Sequence, residues 1–195
     1  MRRAAWITAA AIVVLAAALV WLLFWALPRW YGAPQQAAVT AEAGSTAEGE
    51  GRTIKATLFY VAEGGISLVG VEREVPYADS PVDQARALLE AQLQPVEEPL
   101  MQAIPEGTEV RTVFITDRGE AYVDFSPEIT TNHPGGSLDE LFTVYTIVNT
   151  LTVNLPAISG VQILVDGREA DTLAGHIDLR RPLTKNLSLV RAPES

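Results

Sequence analysis

One feature constrains this chain before any other. Residues 4–27 form an apolar run broken only by Thr8. At about 1.5 Å rise per residue, a helix of that length crosses the roughly 30 Å hydrocarbon core of a bilayer. The run therefore predicts a transmembrane anchor over residues 1–31. Arg2 and Arg3 precede it and Arg29 follows it. The positive-inside bias then keeps the N-terminus cytoplasmic and places everything after the run outside. Trp6 stands near one end, and Trp21, Trp25, Trp30 and Tyr31 crowd the other, as an interfacial aromatic belt does. The rival reading is a cleaved signal peptide. That needs a shorter apolar core of about 7–15 residues and a small-x-small cleavage site. Here the run closes on Trp21-Leu22-Leu23-Phe24-Trp25 and then Pro28, which favours an uncleaved anchor. With no cysteine for lipid attachment, the helix is the only anchor the sequence offers.

From Thr53 onward the chain carries 10 basic and 21 acidic residues, a net charge of −11. Nucleic acid and anionic lipid both demand a cationic surface, so neither is an expected ligand of this part. A solvated acidic surface is the simple reading, and a basic partner patch would also be served. The absence of cysteine removes disulfide and thiolate chemistry.

Residues 32–52 run mostly through Ala, Glu, Gly, Ser and Thr without an apolar period, which predicts a flexible linker. A single domain is expected over 53–187, with a short tail over 188–195. Residues 54–61 and 66–75 read as strands around Glu63-Gly64-Gly65. Ser80-Pro81 opens a helix in which Ala85, Leu88, Leu89 and Leu93 share a face. Residues 109–116 and 120–125 form a hairpin around Asp117-Arg118-Gly119. The first of these strands is apolar on both faces, which predicts a mid-sheet position. Ser137-Leu138-Asp139-Glu140 reads as a capping box at the start of a second helix. Leu138, Leu141, Phe142, Tyr145, Val148 and Thr152 make its core face. Residues 161–165 form a buried strand, Asp166-Gly167 a turn, and residues 175–187 a strap across the domain. The order ββα, ββα, β predicts an α+β fold with two helices on one face of a small mixed or antiparallel sheet.

Few residues suggest chemistry. His176 and Asp178 would share a face in a strand, as a base with its orienting carboxylate or as two metal ligands. No Gly-x-Ser-x-Gly turn supplies a nucleophile. His133 is the only other histidine, without His-Glu-x-x-His spacing, so the metal inventory is poor. The plainer roles are a ring bonded to backbone for His176 and a turn cap for Asp178. Asp124, in an apolar strand, either caps the Ser126-Pro127 turn or belongs to a site. Asn149, mid-helix, either bonds a neighbouring loop or binds a ligand. Gly64-Gly65 and Gly135-Gly136 lack the Gly-Lys-Ser/Thr of a phosphate loop.

Several segments together resemble one family. They are Ala103-Ile104-Pro105-Glu106-Gly107-Thr108, Ala121-Tyr122-Val123-Asp124-Phe125-Ser126 and Tyr145-Thr146-Ile147-Val148-Asn149-Thr150-Leu151-Thr152. Val161-Gln162-Ile163-Leu164-Val165-Asp166-Gly167 and Gly175-His176-Ile177-Asp178-Leu179 follow in order. The series is similar to the GerMN domain of sporulation and spore-germination proteins, over about residues 55–185. The resemblance implies a domain tethered to the membrane outside the cytoplasm and a fold like that of ring-building motifs. It implies no catalytic residue. The family's namesake is a lipoprotein with two such domains, whereas this chain has one domain and an apolar N-terminal segment.

Three functions follow as expectations. The foremost is a membrane-anchored, non-enzymatic assembly module that binds envelope proteins or itself, with no catalytic, cofactor or metal residues and no nucleic acid. The alternative is a cell-wall glycan or peptide binder, with Tyr60 or Tyr77 stacking on sugar. The third is a hydrolase that brings His176, Asp178 and Asp124 into one pocket.

Overall fold

The computed structural model describes residues 51–191. The expected anchor over 1–31, most of the 32–52 linker and residues 192–195 lie outside the described residues. No helix among the described residues is long and apolar enough to cross a membrane.

Strands β1 (Thr53–Val61) and β2 (Leu68–Pro76) pair antiparallel along their whole length. Gly64 and Gly65, both at positive φ, carry the chain around between them. Helix α1 (Pro81–Gln92) begins as its cap residues dictate. The Ser80 hydroxyl accepts the Asp83 N–H at 3.4 Å, and Pro81 takes a first-turn position where no N–H is needed.

Strands β3 (Val110–Ile115) and β4 (Glu120–Phe125) form the second hairpin. Gly119 sits at φ +81°, bonded back to Thr116 at 2.9 Å, the left-handed residue that a three-residue hairpin loop requires. A Cβ there would also collide with the Ala157 carbonyl. A one-turn helix α2 (Glu128–Thr131) leads to the long helix α3 (Ser137–Asn154). Strand β5 (Gly160–Val165) then runs parallel to β4, and β6 (Arg168–Glu169) turns back on it. The chain ends in a 3-10 turn (Leu187–Leu189) and β7 (Val190–Arg191), parallel to β2. Sheet pairing therefore continues beyond residue 187.

The strands divide into two sheets, β1-β2-β7 and β3-β4-β5-β6, and this corrects the single sheet expected. The reason lies in the two helices. Their apolar residues Ala85, Leu88, Leu89, Val144, Ile147, Val148 and Leu151 pack on the inner face of the second sheet, with Val113, Ala121, Val123, Phe125, Val161 and Ile163. Helix α3 also contacts β1, and α1 contacts β2, so the first hairpin closes over the helices instead of extending the second sheet. Helix α3 is consequently buried on nearly every side, from Phe142 through Thr152. Leu138, expected in its core face, is 41% exposed.

Two further expectations are corrected. Strand β3 ends its sheet instead of lying within it. Its second apolar face is real but uncovered, because Phe114 stands 58% exposed. The capping box does not form. Gly136 occupies the cap position without a side-chain bond, and Glu140 turns away to another partner.

Candidate functional site

The Glu140 carboxylate is wholly buried. A buried ion is tolerated only where fixed dipoles replace its water, and here the returning chain supplies them. One Glu140 oxygen accepts the Leu173 N–H at 2.8 Å. The other accepts the His176 N–H at 2.8 Å and lies 3.1 Å from His176 Nδ1. Burial alone would raise this carboxyl, but the surrounding N–H groups of Ala174, His176, Ile177 and Leu173 outweigh it and hold the pKa below its usual value.

His133 flanks the same helix end. Its Nδ1 accepts the Gly135 N–H at 3.0 Å, so Nε2 carries the proton and donates to Thr143 Oγ1 at 3.1 Å. The Thr143 hydroxyl in turn donates a hydrogen bond to the Ala103 carbonyl at 2.6 Å. Burial lowers the His133 pKa; Glu140 and Asp139 oppose that by charge, and His176 adds to it. The ring is held neutral by its bonds.

This cluster has the outline of a histidine backed by a carboxylate, but its partner is Glu140 and not Asp178. Asp178 is exposed and forked onto Arg180, at 2.8 and 2.7 Å, and this contact holds its carboxyl well below the usual range. The His176 side chain keeps Nδ1 toward Glu140 and is 43% exposed. The adjacent hydroxyl, Thr143, is committed to backbone. No group of three or more His, Asp or Glu among the described residues is arranged to hold a metal ion.

Asp124 lies elsewhere. It accepts the Gly167 N–H at 2.7 Å and faces Arg111 at 3.6 Å. Arg111 also reaches Asp166, the residue at φ +51° in that turn. Asp124 thus caps the distant Asp166-Gly167 turn and not the adjacent Ser126-Pro127. His176, Asp178 and Asp124 each have different partners and make no common site.

Asn149 is fully buried and grips the tail by both atoms, to the Asn186 C=O and N–H, each at 2.9 Å. Gln162 holds the Leu179 carbonyl, and Val161 exchanges two backbone bonds with Leu183 at 2.8 Å. Residues 173–191 are a strap fixed at successive points.

Among the polar side chains that the sequence does not single out, two amides close the edge of β1. Gln92 brackets Phe59, accepting its N–H and donating to its C=O, both at 2.8 Å, and also accepts the Thr150 hydroxyl at 2.9 Å. Asn154 brackets Thr57 in the same way at 2.8 Å. Each amide stands in for a neighbouring strand on the outer edge of β1. The signal was present: Gln92 is in phase with Ala85, Leu88 and Leu89, and Asn154 with Ile147 and Thr150. A polar residue on a buried stripe must find a buried partner.

Tyr60 offers no sugar platform. Tyr60 is 1% exposed, with burial pushing its phenol up. Arg52 covers the Tyr77 ring at 4.0 Å. The exposed aromatic surface is Phe114 beside Tyr122, ring centroids 6.5 Å apart. A cleft of about 370 Å³ opens between Ile54, Tyr77, Pro81, Ile115, Leu155 and Ile158.

No curated protein matches this chain. Among solved structures, it is similar to the first GerMN domain of the sporulation protein GerM from Bacillus subtilis. The TM-score is 0.54 at 23% identity, covering 68% of this chain and 98% of that one. The tandem GerMN domains of the same protein align at TM-score 0.51 and 22% identity, covering 70% of this chain and 46% of that one. These likenesses establish the fold. The profile of the Germane family, described as sporulation and spore germination, matches residues 57–171. With that profile spanning more than half of its length, the chain belongs to the Germane family.

Proposed function

We propose that this protein is a non-enzymatic assembly module of the cell envelope. It is anchored by the apolar segment at residues 4–27, faces away from the cytoplasm, and binds envelope proteins or further copies of itself. One observation carries the reading: the polar side chains that the sequence offers for chemistry are engaged within the fold. Asp124 and Asn149 bond to backbone, the His176 ring lies against buried Glu140, and Asp178 is forked onto Arg180. Catalysis needs groups free to bind and exchange protons with a substrate, and these are bound to the chain itself. What remains available is surface: an acidic exterior, an exposed aromatic pair and a sheet edge. The family description and the likeness to a GerMN domain support an envelope setting.

Crosslinking the full-length protein in its native membranes tests the reading, with residues 1–52 alone as control. A stoichiometric envelope protein or a ladder of self-adducts, absent from the control, is the expected result. A folded domain that crosslinks to nothing and stays monomeric would refute it.

A further inference from the structure

A strand at the end of a sheet presents unpaired donors and acceptors to any extended chain that can reach them. The hairpin register identifies those groups on β3. Thr116 N–H bonds the Glu120 carbonyl at 2.9 Å. Bonded pairs recur at every second residue of an antiparallel ladder, so Phe114–Tyr122 and Thr112–Asp124 are the next ones. Val113 and Ile115 therefore direct N–H and C=O away from β4. Neither makes a hydrogen bond on that side among the described residues.

The other edges are closed or guarded. On β1, Asn154 and Gln92 bracket Thr57 and Phe59, and Met101 pairs with Val61. Strand β6 and Leu183 line β5. Strand β7 covers the start of β2, and exposed Glu72, Arg73 and Glu74 charge the remainder. On β3 itself, Arg86 caps the Val110 and Arg111 carbonyls at 2.9 and 3.0 Å and stops short of Val113. The stretch Val113-Phe114-Ile115 carries no charge; the Val113 side chain is buried, Ile115 is half-buried and Phe114 is exposed.

What flanks this edge suits alternating side chains. On the outer face Phe114 is exposed beside Tyr122. On the inner side the apolar cleft of about 370 Å³ begins at Ile115. A strand laid along β3 would send one side chain over Phe114 and the next into that cleft. Charge selects between occupants. Asp79 lines the cleft, and the chain carries a net charge of −10, so a second copy would bring like charge to like. A basic partner would not.

We propose that β3 is a docking edge, taking as an added strand an extended segment of a partner protein with alternating apolar residues and basic neighbours. The proposal rests on the assembly-module reading and names its contact surface.

The test uses the full-length protein in detergent micelles and a labelled, end-blocked nine-residue peptide alternating valine and lysine. A valine–glutamate peptide serves as control. The lysine peptide is expected to bind saturably, at least tenfold tighter than the control, and to slow amide exchange at Val113 and Ile115 at least tenfold. Ile115→Pro removes an outward donor without breaking a ladder bond, and is expected to weaken binding at least tenfold. Ile115→Lys, which charges the edge, gives the same answer should the proline variant unfold. Equal binding by wild type and both variants would overturn the proposal, as would protection on β2 instead. Self-association abolished by Ile115→Lys, without peptide binding, would overturn it in favour of a second copy. Crosslinking the same variants in native membranes separates the two readings. A partner retained equally by all three proteins overturns the docking edge and leaves the assembly reading standing.

Discussion

Replacing Glu140 gives the sharpest test of how this fold is held. Glu140→Ala leaves the Leu173 and His176 N–H groups without an acceptor inside the protein and removes the carboxylate beside the His176 ring. Hydrogen bonds to a charged group contribute about 1.5–3 kcal/mol each. The two backbone bonds together then set a loss of about 3–5 kcal/mol, allowing for partial access of water once the loop loosens. Against a typical total of about 5–15 kcal/mol for a domain, that is a large fraction. Glu140→Gln keeps the shape and one acceptor oxygen but turns an NH2 toward a donor, for a loss of roughly 2 kcal/mol. Urea denaturation at pH 7 measures both. Hydrogen exchange adds location, since residues 172–180 should lose protection before the sheets do. The pH dependence has a definite sign. The folded pKa lies below the ordinary 4.5, so this contribution is complete above that pH and is lost as pH falls through the folded value. The Gln variant should lack that part of the acid destabilisation. A Glu140→Ala protein within 1 kcal/mol of wild type, with unchanged exchange in the strap, would refute the reasoning.

Thr146 carries the only buried side-chain polar atom among the described residues without a partner, so Thr146→Val should raise stability by about 1 kcal/mol in urea melts. Gln92→Ala leaves the Phe59 N–H and C=O and the Thr150 hydroxyl unbonded; a loss of about 2–4 kcal/mol is expected, and a loss below 1 would show that β1 does not depend on the bracket. Gly119→Ala must hold φ +81° against the Ala157 carbonyl, and thermal melts should show a loss of at least about 2 kcal/mol. His133 titrates below its ordinary 6.5, so the stability tied to its neutral form is complete above that pH and falls as pH drops. NMR should find the Nε2–H tautomer at pH 7 and a titration midpoint under 6.5, and a midpoint above it would contradict the bonding described.

The sequence was most informative where structure is local. The Ser80-Pro81 cap, the Asp117-Arg118-Gly119 loop and the strand alternations act within a few residues, and each appears where its chemistry predicts. Local pattern misleads where a side chain has both a local and a distant use. Glu140 satisfies a capping box on paper, yet its carboxylate is engaged by N–H groups 33 to 36 residues onward. Asp124 has a turn beside it and caps another, 43 residues away. Strand β3, apolar on both faces, looked central and lies at an edge, because pattern reveals which faces are apolar and not whether anything covers them.

By itself the sequence determined the two hairpins, the two long helices and strand β5 in their order, the apolar N-terminal segment and the acidic charge. These follow from periodicity, caps and composition, each a property of neighbouring residues. Only the tertiary structure decided that the strands form two sheets and that α3 is enclosed on nearly every side. It also decided that carboxamides close the edge of β1 while Val113 and Ile115 on β3 make no hydrogen bond on the side away from β4. Those outcomes depend on which distant backbone groups meet a given side chain. A buried polar group takes whatever partner the packed chain brings to it, and the spacing of residues along the chain does not encode that partner.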